Sequence, residues 1–224
     1  MKFADAEQIP RIREKQELVR RHLSENVYRT MRLCLFRAGE YLYQEGEPAR
    51  YLFIILDGSC KVFKILENGK TVLLCRYEEV QVLGEFELFS GQTAKTNVQA
   101  LKDTYCLAVS IREYRNLLLA DNRFLQFVLR RTCMKIERNN ANTAANLLYP
   151  LEQRLAAYLL AMQDRGSFSA NYTMLAEYLG CSLRHLFRTF RALCDRQILQ
   201  KTDTAYLLQD IAALEALAGS IYLQ

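Results

Sequence analysis

The chain has 224 residues, of which 50% are hydrophobic and 25% charged, with a formal net charge of +5. This composition is ordinary for one large or two small globular domains, and it excludes disordered, collagen-like and coiled-coil rod proteins. The longest strictly apolar run has seven residues where a membrane span needs about 20, and the mixed charges of the first residues exclude a secretory signal peptide. We therefore expect a cytoplasmic protein without a membrane segment.

Histidine and cysteine usage limits the chemistry that the chain can perform. There are two histidines, His22 and His185, and seven cysteines at uneven spacings that match neither a disulfide framework nor a zinc site. Nucleophile-elbow, zincin and P-loop motifs are absent. We expect no catalytic residues, no metal and no cofactor. The four cysteines of the first half are interpreted as buried packing residues, with a thiol redox switch as the alternative: Cys34, Cys60, Cys75 and Cys106.

The first half of the chain has the pattern of a β domain. Residues 14–32 predict a polar amphipathic helix, and six of the nine glycines then fall within 53 residues. Between these glycines lie short apolar or alternating runs that predict strands over residues 52–56, 60–65, 71–75, 96–100 and 106–109. The pair Asn68-Gly69 predicts a tight hairpin. Short strands with frequent turn signals predict a compact β-barrel or sandwich.

From residue 111 onward, helix-forming residues dominate, and no glycine occurs before Gly166. A spacing of four, three and four residues places one set of side chains on a single helical stripe. This stripe predicts a dimer seam on a long helix, the alternative being packing on the chain's own β domain: Leu125, Leu129, Thr132 and Ile136. Asparagines at 139, 140 and 142 interrupt the apolar pattern, and Pro150 predicts the start of a helix over 151–163. The expected domains are therefore residues 1–110, 111–146 and 147–224.

Residues 169–196 have the pattern of a helix-turn-helix. A short helix is predicted from about residue 172, capped by Ser169 or Asn171, and Gly180 supplies a tight turn. Ser182 is predicted to cap a second helix that runs to about residue 195. Residues 198–208 then predict a wing hairpin, from which Lys201 can reach a phosphate.

The second helix divides its side chains between two faces. The predicted apolar face anchors the helix to its domain: Leu186, Phe187, Phe190 and Leu193. The other face presents three guanidinium groups at spacings of four and three: Arg184, Arg188 and Arg191. Such a division suits a helix that reads the major groove, although an arginine stripe on an arbitrary helix is usually a solvated surface. Its coincidence with the turn glycine and the serine cap favours DNA binding.

These segments resemble the family of the cyclic-AMP receptor protein and the fumarate-nitrate reduction regulator (CRP/FNR). The resemblance covers about residues 30–210 and is strongest over 179–188, followed by 53–59, 69–70 and 83–85. Residues 150–158, 176–180 and 184–186 are most similar to the YeiL-type branch of this family. The resemblance implies an α+β fold with a cyclic-nucleotide-binding-like β-barrel of the jelly-roll type, a long dimerisation helix and a C-terminal winged helix-turn-helix.

The resemblance also implies a homodimeric transcription regulator that binds a near-palindromic site on double-stranded DNA, with RNA polymerase as a partner if it activates. Thr173 and Ser182 take the positions of phosphate contacts. Arg184, His185 and Arg188 take positions that face the groove, and Arg188 matches an arginine that reads guanine in the family. Because Arg184 replaces a base-reading glutamate of the best-known members, and Leu183 an arginine, we expect a different operator.

The sensor motif matches this family only in part. Gly84-Glu85 fits the family's Gly-Glu, whose carboxylate takes the ribose hydroxyl of a cyclic nucleotide. Lys95-Thr96 stands where the family has an Arg-Ser or Arg-Thr pair that holds the cyclic phosphate, and a lysine lacks the bidentate fork of arginine. These four residues form the candidate effector site, and we expect an effector other than cyclic AMP.

Three alternatives stay open at this point. A ligand-independent regulator of the same fold would bind DNA with an affinity that no small molecule alters. A cyclic-nucleotide-binding module could serve a protein partner, which would make the arginine stripe incidental. A cupin-type barrel enzyme would need several histidine ligands, and the two histidines of this chain argue against it.

Overall fold

A computed structural model describes residues 1–3, 10–67, 69, 71–77 and 80–219. The chain divides into two compact units, residues 1–136 and 137–224. The elements of the first unit, the last of which continues into the second, are β1 (Lys2–Phe3), α1 (Pro10–Arg20), α2 (Glu25–Tyr28), β2 (Arg32–Phe36), β3 (Tyr41–Tyr43), β4 (Tyr51–Ile65), β5 (Thr71–Tyr77), β6 (Val82–Leu83), α3 (Glu85–Ser90), β7 (Asn97–Ser110), α4 (Ile111–Ala120) and α5 (Asn122–Leu148). The second unit adds α6 (Leu151–Met162), β8 (Ser167–Phe168), α7 (Tyr172–Tyr178), α8 (Leu183–Asp195), β9 (Leu199–Lys201), β10 (Tyr206–Leu208) and α9 (Ile211–Ala218).

Two long antiparallel strands, β4 and β7, form the centre of the first unit. They pair along their whole length, from Tyr51 opposite Ser110 to Phe63 opposite Asn97. β2 and β3 pair with different parts of β7, and β6 and β5 pair with different parts of β4. The prediction of separate strands over 52–56 and 60–65, and over 96–100 and 106–109, is therefore wrong. Each pair is one continuous strand with register shifts between Ile55 and Cys60.

Gly58 allows β4 to shift register against β7. Its φ is +126°, and a Cβ at this position would lie 2.5 Å from the Cα of Thr104. The Thr104 hydroxyl accepts a hydrogen bond from the Ser59 N–H at 3.2 Å and donates to the Ser59 carbonyl. A side chain at position 58 would push the two backbones apart, so glycine is required where the strands cross most closely.

Both faces of β4 are buried over residues 52–56, which explains the unbroken apolar run of this part of the strand. Leu52 and Ile54 belong to a core that also contains α1, α4 and α5 residues, whereas Phe53 and Ile55 belong to a second core inside the β domain. Successive side chains of a strand point to opposite faces. A strand covered on both faces therefore reads as a continuous apolar run rather than an alternating one.

The predicted helix over 14–32 is wrong in its bounds. α1 starts at Pro10 and ends at Arg20, α2 is a separate short helix, and Arg32 begins β2. The Ser24 side chain accepts a hydrogen bond from the Val27 N–H at 3.3 Å. This cap starts α2 as a new helix instead of continuing α1.

The predicted hairpin joins β4 and β5, which pair in antiparallel register from Cys60 opposite Tyr77 to Ile65 opposite Thr71. Asn68 and Lys70 lie outside the described residues. Gly69 has a φ of +74°, and its N–H donates to the Leu66 carbonyl at 2.8 Å. The positive φ that the Asn-Gly signal requires is therefore present at Gly69.

The second unit has its own apolar core, built from α6, α7, α8, α9 and a three-stranded sheet in the order β8-β10-β9. The helix predicted over 151–163 is α6, which follows Pro150. The asparagines at 139, 140 and 142 do not end α5, which continues to Leu148. The molecule thus combines a β-rich unit with a helical one, which agrees with the predicted α+β class.

Candidate nucleic-acid interface

α7 and the following turn have the geometry that the sequence predicts. Asn171, rather than Ser169, caps α7, and its side-chain oxygen accepts a hydrogen bond from the Met174 N–H at 3.2 Å. Gly180 follows with a φ of +61°, a conformation that side chains rarely adopt. The turn is thus specified by residues close in sequence.

α8 begins at the predicted cap. The Ser182 Oγ accepts a hydrogen bond from the His185 N–H at 3.2 Å, and α8 runs over Leu183–Asp195. Because a serine oxygen satisfies one of the free N–H groups at a helix start, the cap defines where α8 begins. It therefore also defines which residues lie on each face of α8.

The two faces of α8 separate buried apolar side chains from exposed cations. Leu186, Phe190 and Leu193 are fully buried in the core of the second unit, together with Thr189. Phe187 is 44% exposed, so its predicted place on the buried face is wrong. Its ring packs 5.4 Å from that of Tyr172, at the edge of the core. At 100° per residue, Phe187 is about 100° around α8 from Leu186, whereas Thr189 is only about 60° from it on the other side, so the buried face includes Thr189 and not Phe187.

The arginine stripe lies on the opposite, exposed face of α8. Arg184, Arg188 and Arg191 are all exposed. Among the residues that the structure describes, no carboxylate lies within ion-pair distance of these three guanidinium groups. Ion pairing within the chain therefore leaves all three available to a ligand. His185, Ser182 and Thr173 are exposed as well.

The wing is a hairpin of β9 and β10, in which Lys201 is opposite Tyr206. Lys201 is exposed, as predicted for a residue that reaches a phosphate. The Tyr206 ring stacks on Phe190 of α8 with 4.2 Å between centroids. This contact couples the wing to α8. The short strand β8, which pairs with β10, completes the sheet and was not predicted from the sequence.

Arg154 is a structural residue of this unit that sequence reasoning missed. Its side chain is buried, and its guanidinium donates to the Tyr149 carbonyl at 3.0 Å and to the Leu179 carbonyl. Leu179 immediately precedes the turn glycine, so Arg154 ties the start of α6 to the turn. The signal in the sequence is an arginine directly before the apolar run of residues 155–162.

In the first unit, the candidate effector residue Glu85 is paired with a lysine of the same chain. Its Oε1 lies 2.5 Å from the Lys135 Nζ on α5. Lys135 is only 8% exposed, donates also to the Val82 carbonyl, and places its Nζ 5.2 Å from the centroid of the Tyr77 ring. The charge and hydrogen-bonding capacity of Glu85 are therefore partly taken up by this chain's own cation.

The other three candidate effector residues lie before and after α3 in the sequence. Gly84 precedes α3 with a φ of +91°, and a Cβ there would collide with the Tyr43 hydroxyl. The Lys95 side chain is exposed, Thr96 is half-buried, and the Lys95 N–H donates to the Glu87 carboxylate. Burial raises the pKa of Glu87. The cation that pairs with Glu85 is Lys135. Sequence reasoning missed this lysine because the two residues are 50 positions apart in the sequence.

Cys34, Cys60, Cys75 and Cys106 are buried in the inner core of the β domain, as predicted, whereas Cys133 on α5 is exposed. Cys34 lies opposite Cys106 in the β2–β7 register. Burial raises the pKa of Cys60 to about 12 and holds that of Cys106 well above its usual value. Because the thiolate is the reactive form, a raised pKa lowers the reactivity of Cys60 and Cys106. The described residues contain no group of three or more His, Cys, Asp or Glu residues that could hold a metal ion.

α5 presents two different apolar faces. Phe124 and Val128 are buried against the first unit, whereas Leu129 and Ile136 are 63% and 54% exposed. Leu129 and Ile136 thus do not pack on their own β domain, which was the alternative interpretation of the stripe. Leu125 is half-buried and packs against the core of the first unit, as the alternative interpretation predicts, and Thr132 is half-buried as well. The dimer seam itself stays a prediction. No described helix has the length and apolar character that crossing a membrane requires.

Comparison with known proteins yields matches to both units. The model of the cyclic nucleotide-binding domain matches residues 33–121, and that of the Crp-like helix-turn-helix domain matches residues 153–217. The chain is 33% identical over 187 residues to the regulatory protein YeiL of Escherichia coli O157:H7, which covers 84% of this chain and 85% of that protein.

More distant similarity extends to other regulators. The cAMP-activated global transcriptional regulator CRP of Haemophilus influenzae is 24% identical over 185 residues, covering 76% of this chain and 82% of its own length. Among solved structures, a CRP-family transcriptional regulator from Thermus thermophilus superposes with a TM-score of 0.70 at 22% identity, covering 85% of this chain and 100% of the other. At that identity the superposition demonstrates the shared fold.

Proposed function

We infer the function of this chain from its family: it belongs to the CRP/FNR family of transcription regulators, with a DNA-binding helix-turn-helix and a cyclic-nucleotide-binding-type sensor domain. We propose that it is a regulator rather than an enzyme. It binds a near-palindromic operator as a homodimer, and α8 enters the major groove. Where it activates transcription, RNA polymerase is its further partner.

The single observation that carries the proposed DNA contact is the exposed arginine face of α8. A guanidinium can bind the O6 and N7 atoms of guanine through two parallel hydrogen bonds. Arg184, Arg188 and Arg191 lie on the face opposite the buried anchor, and no described carboxylate competes for them. We assign base reading to Arg188 and Arg184, with His185 beside them.

Phosphate contacts are assigned to the periphery of the same unit. Thr173 and Ser182 stand at the starts of α7 and α8, where free N–H groups and the helix dipole favour an anion. Lys201 stands at the end of β9 in the wing, and Arg191 lies toward the C-terminal half of α8. Such contacts fix the orientation of the protein on DNA without reading its sequence.

We further propose that cyclic AMP is not the effector. The Glu85 carboxylate is engaged by Lys135, and an exposed lysine, Lys95, stands where a bidentate arginine would hold a cyclic phosphate. A nucleotide would have to displace a buried ion pair and would gain only a point charge in return. An effector that acts through Gly84, Glu85, Lys95 and Thr96 must compensate for the loss of that pair.

The test of operator binding is a selection from a random DNA pool with the purified protein, at two salt concentrations, with and without cyclic AMP. We expect an enriched palindrome whose half-sites are about one helical turn apart, and no change on addition of cyclic AMP. Enrichment that depends on cyclic AMP would contradict the effector proposal. If no sequence is enriched in any condition, either an unidentified effector is obligatory for DNA binding or the arginine stripe is a solvated face.

The roles of individual residues are tested with single-residue variants of the protein, whose binding to the enriched operator is measured. Arg188→Ala should relax the preference at one base position, because each bidentate arginine–guanine pair discriminates by about 1–3 kcal/mol. Lys201→Ala should weaken binding to all DNA sequences equally, and it should lower by about one the slope of the logarithm of the binding constant against the logarithm of salt concentration. Arg112→Ala, which removes an exposed arginine of α4, serves as the control and should change neither. Full selectivity in the Arg188 variant would show that α8 is in a different register.

A further inference from the structure

A hollow of about 410 Å³ lies between the end of α1 and the first half of α5, entirely within the first unit. Four arginines and a histidine line it, together with three uncharged residues: Arg21, His22, Arg123, Gln126, Phe127, Arg130, Arg131 and Met134. No aspartate or glutamate is among the residues that line it. The hollow is therefore a concave site with charge of a single sign.

The four arginines differ from their neighbours in lacking acidic partners. On α1, Arg11 pairs with Asp57, and Arg20 pairs with Glu17 and Glu25. Within the described ranges, none of the four arginines of the hollow has a carboxylate within 4.0 Å. Four like charges around one concavity repel each other and focus a positive potential into it. An anion in the hollow would relieve that repulsion.

Contacts within the protein hold several of these side chains in place. The Arg123 Nη2 donates to the Arg21 carbonyl at 2.6 Å, which ties α5 to the end of α1. The Arg131 guanidinium lies 5.6 Å from the centroid of the Phe127 ring, on which His22 also stacks at 5.9 Å. Side chains that are already ordered lose less entropy when they bind a ligand. The site is therefore partly preorganised.

We propose that this hollow is a binding site for a small anion that carries two or more phosphate groups. Guanidinium forks match phosphate oxygens, and several of them converging on one hollow suit clustered phosphates. Contacts to a DNA backbone would instead be expected along an extended basic face. The site is separate from α3 and from α8, and the proposal does not depend on DNA binding.

The test measures the binding of inorganic pyrophosphate to the full chain by calorimetry, at constant ionic strength and without DNA. We expect saturable binding with one site per chain, stronger than that of sulfate at the same concentration. Arg130→Gln and Arg123→Gln should each weaken the affinity for pyrophosphate at least about tenfold, since each removes a charge-assisted contact. Arg130 is exposed and makes no described hydrogen bond, so its substitution should leave the melting temperature unchanged.

Matched controls separate a site from general charge. Arg13→Gln and Arg112→Gln each remove one exposed arginine elsewhere on the first unit and should not change pyrophosphate binding. The proposal is overturned if pyrophosphate does not bind, if it binds no better than sulfate, or if the controls lose as much affinity as Arg130→Gln. It is also overturned if Arg130→Gln weakens only the binding of random-sequence DNA, because the arginines would then serve a nucleic-acid backbone.

Discussion

At the scale of single residues, the Lys135–Glu85 ion pair is the least exposed of those between described residues. Both side chains are largely withdrawn from water, and Lys135 also bonds the Val82 carbonyl. Removing one partner of such a pair leaves the other charge buried without compensation, whereas removing both can be nearly neutral. The pair thus ties α5 to the start of α3 as long as both partners are present.

We expect Lys135→Met to lower the free energy of unfolding of the first unit by about 3 kcal/mol or more. Glu85→Gln should cost less, since Lys135 keeps the Val82 carbonyl and the Tyr77 ring, and the double variant should cost less than the sum. Urea unfolding of the wild type, the two single variants and the double variant measures this double-mutant cycle. Arg37→Met, which breaks an exposed pair with Asp103, is the control and should cost under about 1 kcal/mol. Additive effects of Lys135→Met and Glu85→Gln would contradict the coupling.

The cysteines give a second prediction at the residue scale. In the native protein at pH 8, Ellman's reagent should modify Cys133 first, because it is exposed. The four cysteines of the β domain should react only after unfolding, since all four side chains are buried and out of reach of the reagent. The Cys133→Ser variant should lack the fast phase. A fast phase that persists in this variant would show that Cys133 is not its source and that a half-buried thiol, Cys181 or Cys194, or a core thiol is accessible instead.

At the scale of elements, helix caps and close strand crossings determine where the side chains of the site stand. Ser182 sets the start of α8 and thereby which side chains its exposed face presents. Gly58 sets the register shift of β4 against Thr104 of β7. Both features are backbone constraints, and a change in either would move a whole row of side chains rather than a single one.

We expect Gly58→Ala to destabilise the first unit far more than Gly46→Ala. Both glycines have a positive φ, so each substitution carries the strain of about 1 kcal/mol typical of that conformation. At Gly46 no atom lies within 4 Å of the added Cβ, whereas at Gly58 the Cβ meets the Thr104 backbone. The urea midpoints of the two variants measure the difference. Equal losses would show that β4 and β7 can separate at this point without cost.

At the scale of the whole molecule, α5 has three faces with different surroundings. One face completes the core of the first unit through Phe124 and Val128, a second exposes Leu129 and Ile136, and a third contributes to the arginine hollow. In the proposed dimer the second face would be covered by the partner's α5. A two-fold arrangement of two α8 helices is what a near-palindromic operator requires.

We expect the wild-type chain to sediment at twice its 26.0 kDa mass and Leu129→Glu to sediment as a monomer, because a buried charge in the seam has no partner. The Leu129 variant should also lose operator affinity. Leu18→Glu is the matched control: it places the same charge on an exposed leucine of α1 and should stay dimeric. A Leu129→Glu variant that remains dimeric would place the interface elsewhere.

Local hydrogen bonding explains why the helix-turn-helix was predictable. The Ser182 cap, the Gly180 turn and the division of α8 into two faces depend on residues within a few positions of each other. The wing was predictable for the same reason, because β9 and β10 are neighbours in the sequence. Phe187 was misplaced because its burial depends on Tyr172 and on the width of a core to which several elements contribute.

The sequence by itself determined the order of a β domain, a long helix and a winged helix-turn-helix, because turn residues, caps and apolar periodicity act over short distances. Only the tertiary structure decided that β4 and β7 are continuous strands, that Lys135 pairs with Glu85, and that Arg21 and Arg123 line one hollow. Lys135 and Glu85 are 50 positions apart in the sequence, and Arg21 and Arg123 are 102 positions apart. Which distant charges meet depends on how the elements pack, and no local pattern records that packing.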